Sequence, residues 1–83
     1  MPEISRFEGI IITMYFNEHN PPHFHAEYNG MEAQFDIENG VFIKGALPSR
    51  QSRFVLAWYE FHKEELLEMW NSKVFRKIAP LVK

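Results

Sequence analysis

Apolar and polar positions along the chain change their spacing once, near Leu47-Pro48, running at strand-like intervals before it and at helix-like intervals after it. From Ile10 to Phe16, β-branched and aromatic residues fill both alternating faces except at Thr13, which predicts a well-covered strand. Asn17 to Pro22 interrupts that run. A diproline cannot donate to a ladder, so the next strand is predicted to begin near His23. Tyr28-Asn29-Gly30-Met31 reads as a two-residue type I′ hairpin, because Asn-Gly is the preferred pair where both central residues need positive φ. That turn predicts a register. Tyr28 faces Met31, Ala26 faces Ala33 and Phe24 faces Phe35 on an apolar side, while His23 faces Asp36, His25 faces Gln34 and Glu27 faces Glu32 on a polar one.

A second turn surrounds Glu38-Asn39-Gly40 and is predicted as a three-residue loop with Gly40 left-handed. This loop assigns Val41 and Ile43 to the core face and sends Phe42 and Lys44 to the histidine side, giving rows His23–Asp36–Phe42 and His25–Gln34–Lys44. Beyond Pro48, Ser49 is the predicted N-cap of a helix running from about Arg50 to Trp70 and ended by Asn71. Val55, Trp58, Tyr59, Leu66, Met69 and Trp70 form its apolar arc, with Glu60, Glu64 and Glu68 opposite. His62 falls within the arc, where a histidine ordinarily hydrogen-bonds a carbonyl or carboxylate. The predicted fold is α+β, a single domain over residues 1–83. It comprises a four-stranded antiparallel β-meander (10–45), one long helix packed on one face (49–71) and a short C-terminal segment (72–83) whose Val74, Phe75, Ile78 and Leu81 can dock on the core.

Composition narrows the chemistry. The chain has 83 residues with eight Phe, three Tyr and two Trp, so aromatic rings must supply much of a small core. It has no cysteine, which excludes disulfides and thiolate metal sites and leaves nitrogen and oxygen as the only metal ligands. The opening residues lack a basic segment leading into an apolar stretch, and no apolar run approaches the roughly 20 residues of a membrane span. A cytoplasmic location without membrane attachment is therefore expected. The formal charge of −2 gives no general attraction to nucleic acid, so such binding would require a local basic patch.

Several strings taken together carry a family resemblance: Pro2-Glu3-Ile4-Ser5-Arg6-Phe7, His19-Asn20-Pro21-Pro22-His23-Phe24-His25-Ala26, Gly45-Ala46-Leu47-Pro48, and Trp58, His62, Glu65-Leu66 and Trp70 on the helix. In these the chain resembles a bacterial family of short proteins known as "domain of unknown function 4160", over almost its whole length. The resemblance implies the fold but no assigned activity. It also implies a regulatory or toxin–antitoxin-associated role, with another small bacterial protein as the expected partner; the sequence also permits a homodimer.

The histidines carry the leading chemical expectation. His23 and His25, one residue apart on a strand, project to the same face, and His19 from the preceding loop would complete a three-nitrogen site for zinc, nickel or ferrous iron with an open coordination position. Asp36, across from His23, would orient an imidazole as an acceptor, with Glu18 also nearby. The plain alternative is an ordinary polar sheet face. A metal-free enzyme is a further reading: His23 and His25 as acid and base in RNA cleavage, with Lys44 neutralising the phosphorane-like charge. A non-catalytic protein-binding module is another. Finally, Arg50 and Arg53 stand in the first helical turn, against the macrodipole, and are candidates for an anion site with the free N–H groups or for simple exposed ion pairs.

Overall fold

A computed structural model of the chain describes residues 3–15 and 17–81. Pro2 of the opening string, Phe16 at the end of the first predicted strand, and Val82 and Lys83 of the tail lie outside them. The elements are β1 (Glu3–Phe7), β2 (Ile10–Thr13), β3 (His23–Tyr28), β4 (Met31–Asp36), β5 (Val41–Gly45) and α1 (Ser49–Ser72). The strands form one antiparallel meander in the order β1-β2-β3-β4-β5, so the sheet has five strands and not the predicted four.

The additional strand, β1, owes its place to a turn whose first residue hides it. Glu8 and Gly9 take φ of 51° and 76°, the same left-handed pair that Asn29 and Gly30 adopt at 48° and 80°. Phe7 then pairs with Ile10 and Arg6 with Ile11. The outer edge of β1 is covered by the tail, where the Ile78 N–H donates to the Ile4 carbonyl at 2.7 Å.

The β3–β4 hairpin has the predicted register throughout, from Tyr28 opposite Met31 to His23 opposite Asp36. Its apolar face holds Phe24 stacked on Phe35, ring centroids 5.0 Å apart. The ladder extends one step beyond β3 because the Pro22 carbonyl accepts from the Ile37 N–H at 2.9 Å, a role open to a proline.

The turn into β5 differs from the prediction. Asp36 pairs with Val41 and Phe35 with Phe42, so Ile37 belongs to the loop, which becomes four residues long. The Asp36 carboxylate accounts for this, accepting from the Glu38 and Asn39 N–H groups and from Asn39 Nδ2 in an Asx-type turn. As a result Phe42, expected on the histidine side, packs edge-on against Phe35 at 5.0 Å. Val41 and Ile43, expected in the core, are exposed. A register shift between Gln34 and Phe35 then restores Lys44 opposite Gln34 as predicted. Gly45 closes the strand at φ 70°, where a Cβ would stand 2.2 Å from the Glu32 carbonyl oxygen.

Helix α1 covers the Phe24/Phe35 side. Trp58 meets Phe24 at 5.5 Å and Tyr59 meets Phe35 at 4.7 Å, and the buried arc of Val55, Trp58, Tyr59, Leu66, Met69 and Trp70 is the one the spacing predicts. Pro48, not Ser49, occupies the cap position, and Ser52 Oγ reaches back to the Leu47 carbonyl. The helix continues past Asn71 to Ser72 and ends on Lys73 in the left-handed conformation, whose N–H bonds the Met69 carbonyl. Trp58 Nε1 donates to the Ala79 carbonyl and so ties the tail to the same core. Among the described residues, no helix is long and apolar enough to cross a membrane.

Candidate metal centre

The sheet face away from α1 would ordinarily be open to solvent. Here it is not. The segment between β2 and β3 folds over it, bringing Tyr15 edge-on to the His25 ring at 4.8 Å. His23 and His25 are consequently only 6% and 8% exposed, unusual burial for two imidazoles on a nominally polar face.

Strand alternation aims both rings the same way, with centroids 5.3 Å apart, and the covering segment delivers Glu18 onto them. Glu18 Oε1 lies 2.6 Å from His25 Nε2 and 3.2 Å from His23 Nε2. One ligand atom from each of these three residues falls within 4.8 Å of the others, so the group could hold a metal ion. The structure thus brings together His23, His25 and Glu18. His19 is exposed and outside the group, because adjacent loop residues present their side chains in different directions and this loop turns Glu18 inward.

The outer nitrogens of the two rings set their proton positions. His23 Nδ1 lies 2.8 Å from the Pro21 carbonyl. A carbonyl only accepts, so Nδ1 carries the proton and Nε2 of the neutral ring presents a lone pair to Glu18. His25 Nδ1 faces Glu32 Oε2 at 3.4 Å, longer than a hydrogen bond. If the neutral His25 donates from Nε2 to Glu18, its Nδ1 lone pair is left facing a second carboxylate. His23 Nε2 and His25 Nδ1 are indeed buried without a hydrogen-bond partner. Each such group costs about 1–3 kcal/mol; a cation taking the two Nε2 lone pairs would satisfy His23 Nε2 directly and would let His25 carry its proton on Nδ1, on the Glu32 side.

Burial by itself raises the Glu18 carboxyl, but the His25 hydrogen bond, with the charges that His25 and His23 carry when protonated, outweighs it, and its pKa is lowered. Asp36 behaves alike: burial raises it, and the hydrogen bonds from Asn39 and Glu38, with the charge of His23 when protonated, bring it below its ordinary value. Its oxygens are engaged in the turn, so it does not orient the His23 ring by a hydrogen bond; the Pro21 carbonyl does.

The other candidates lie elsewhere. Lys44 is exposed and opposite Gln34, in the same sheet row as His25 but two strands away from it. Arg50 and Arg53 are exposed, with the Arg50 guanidinium 5.5 Å from the centre of the Phe54 ring. His62 is on the helix side of the sheet, its Nδ1 2.6 Å from Glu65 Oε1 and its ring 5.3 Å from that of Trp58. Sequence spacing overlooks Trp70 as a neighbour of the site: its ring stands 5.2 Å from His23 and its Nε1 donates to Asn20 Oδ1 at 3.3 Å, tying the end of α1 to the histidine loop.

Comparison with protein families gives a match over residues 9–71 to the family described as Domain of unknown function (DUF4160). Comparisons with curated proteins and with solved structures give no match. The matched segment runs from the turn before β2 to the end of α1 and contains Glu18, His23, His25 and Trp70, and the chain belongs to this family.

Proposed function

We propose that this member of the DUF4160 family binds a divalent transition-metal ion through His23 Nε2, His25 Nε2 and a Glu18 oxygen. The observation that carries the reading is the orientation of the rings. Each imidazole turns its Nδ1 toward an acceptor, the Pro21 carbonyl or the Glu32 carboxylate, and its Nε2 toward a shared carboxylate oxygen. This is how metal-bound histidines are held, with the outer N–H fixed so that the inner lone pair is aimed and made more basic. Ligand atoms around a tetrahedral ion with bonds of about 2.0–2.1 Å stand about 3.3 Å apart; the His23–Glu18 spacing of 3.2 Å matches this, Glu18 would withdraw from His25 by less than about 1 Å, and the ligand atoms, all within 4.8 Å of one another, would draw together around the ion.

Two imidazoles and one carboxylate leave at least one position on the ion open, the ligand set of catalytic zinc sites and of non-haem iron centres. Burial of both imidazoles favours this over metal-free RNA cleavage, which needs His23 and His25 accessible to a phosphodiester beside Lys44. In biological terms we place the ion in a small regulatory protein, of the toxin–antitoxin-associated kind that the family resemblance implies, acting with another small protein.

The test is zinc titration of tag-free protein by calorimetry, with His23→Ala and His25→Ala alongside. The expected result is binding at one ion per chain, weakened by at least an order of magnitude in either variant. Absence of stoichiometric binding, or equal affinity in the variants, would overturn the reading.

A further inference from the structure

Beside Glu18 the surface opens into a cleft of about 370 Å³ lined by Glu18, His19, Asn20, Trp70, Asn71 and Lys73. It joins the histidine loop to the end of α1, and two of its walls belong to the metal centre: Glu18 is a ligand, and Trp70 packs against the ring of His23. From the chemistry of its lining we infer that this cleft admits a small oxyanion, a phosphoryl or carboxylate group, to the open position on the ion held by His23, His25 and Glu18. The inference rests on the metal reading above.

Three observations support it. First, the one acidic side chain in the lining, Glu18, is itself a ligand of the ion, whose charge would offset its own, so it would not repel an entering anion as a free carboxylate would. Second, the other polar groups can donate. Asn20 Oδ1 is occupied by Trp70 Nε1, which leaves the Asn20 amide NH2 to be offered, and Asn71 and His19 add N–H groups at the rim. Third, Lys73 is fixed at the cleft. Its left-handed backbone caps α1, and its ammonium lies 3.7 Å from the centre of the Trp70 ring. A dipositive ion offset by one carboxylate, with a lysine across the cleft, forms a positive site in a chain whose formal charge is −2. Net charge would repel an anion, and the cleft attracts one.

The experiment uses cobalt(II), whose visible spectrum reports its ligands. The full-length chain is loaded with cobalt, and inorganic phosphate or acetate is titrated in at constant ionic strength, with chloride as the control. A saturable change in the cobalt bands is expected with at least one of the two oxyanions and not with chloride. The one that saturates at lower concentration identifies the group, phosphoryl or carboxylate. Lys73→Met is expected to raise the half-saturating oxyanion concentration roughly tenfold, the loss of one charge-assisted hydrogen bond, while leaving cobalt affinity unchanged. Lys73→Arg should restore most of it. Cobalt bands indifferent to both oxyanions, or equal oxyanion affinity in Lys73→Met, would overturn the inference while the metal site stands. Failure of cobalt to bind, seen before any anion is added, would overturn both.

Discussion

His25 Nε2 and Glu18 Oε1 stand 2.6 Å apart, although they lie seven positions apart in the chain with a diproline between them. The contact sets a half-buried carboxylate against two imidazoles, and it makes Glu18 the residue on which the site turns. Glu18→Gln keeps the shape of the side chain and removes the charge, so zinc affinity should fall by at least an order of magnitude. His19→Ala should leave it unchanged. Competition against a chromogenic chelator measures both, and a His19→Ala loss as large as that of Glu18→Gln would restore the all-nitrogen site predicted from spacing.

The same contact makes stability depend on acid. Glu18 and Asp36 have folded pKa values below their ordinary 4.5 and 3.8, so as pH falls the unfolded chain takes up protons before the folded one does. Their contribution is complete above those ordinary values and is lost as pH falls through the lower, folded ones. Urea midpoints of the metal-free protein should therefore drop as pH falls below about 5, and Glu18→Gln should make that drop shallower. An equally steep acid loss in Glu18→Gln would assign the effect to other carboxylates.

His62 separates packing from chemistry. It lies on the helix side of the sheet, bonded to Glu65 and set against Trp58. His62→Ala should lower stability by about 1–3 kcal/mol through lost packing and the lost hydrogen bond, with zinc affinity unchanged. Chemical unfolding and metal titration on the same preparation decide it.

How much of this was legible from sequence depends on how local the signal is. Asn29-Gly30 and the flanking alternation fix the β3–β4 register, because a slip of one residue would put His23 in the core and Phe24 in water. The helix arc is legible for a similar reason, its spacing being sustained over many turns. Glu8-Gly9 makes the same kind of turn as Asn29-Gly30, but glutamate is no turn signal, so β1 went unseen. Asp36 reads as an ordinary strand residue until its carboxylate is seen capping the next turn, and that cap moves Val41 and Phe42 to the opposite faces from those predicted. His23 and His25 were legible as a pair since alternation puts them on one face. Which loop residue would meet them was not, because a nine-residue irregular segment has no period from which to choose Glu18 over His19.

Glu32 provides a prediction in which affinity and stability move in opposite directions. Its carboxylate faces His25 Nδ1 at 3.4 Å, while across the hairpin it stands directly opposite Glu27, a like charge. Were the proposed ion bound, His25 would give up its Nε2 proton and carry one on Nδ1, so that the N–H would point at Glu32 and the contact would become attractive. Glu32→Gln removes that acceptor charge and should weaken zinc binding by about tenfold, less than Glu18→Gln because Glu32 touches the ring and not the ion. In the metal-free protein the same substitution relieves the Glu27–Glu32 repulsion and the clash of lone pair with carboxylate, so the chain should be more stable by a few tenths of a kcal/mol. A merely structural glutamate would lose both or neither. Thermal unfolding with and without zinc tests the two signs in one experiment: Glu32→Gln should melt above the wild type in chelator and show a smaller rise on adding zinc. If it melts lower in chelator and gains as much from zinc as the wild type does, Glu32 has no part in holding His25.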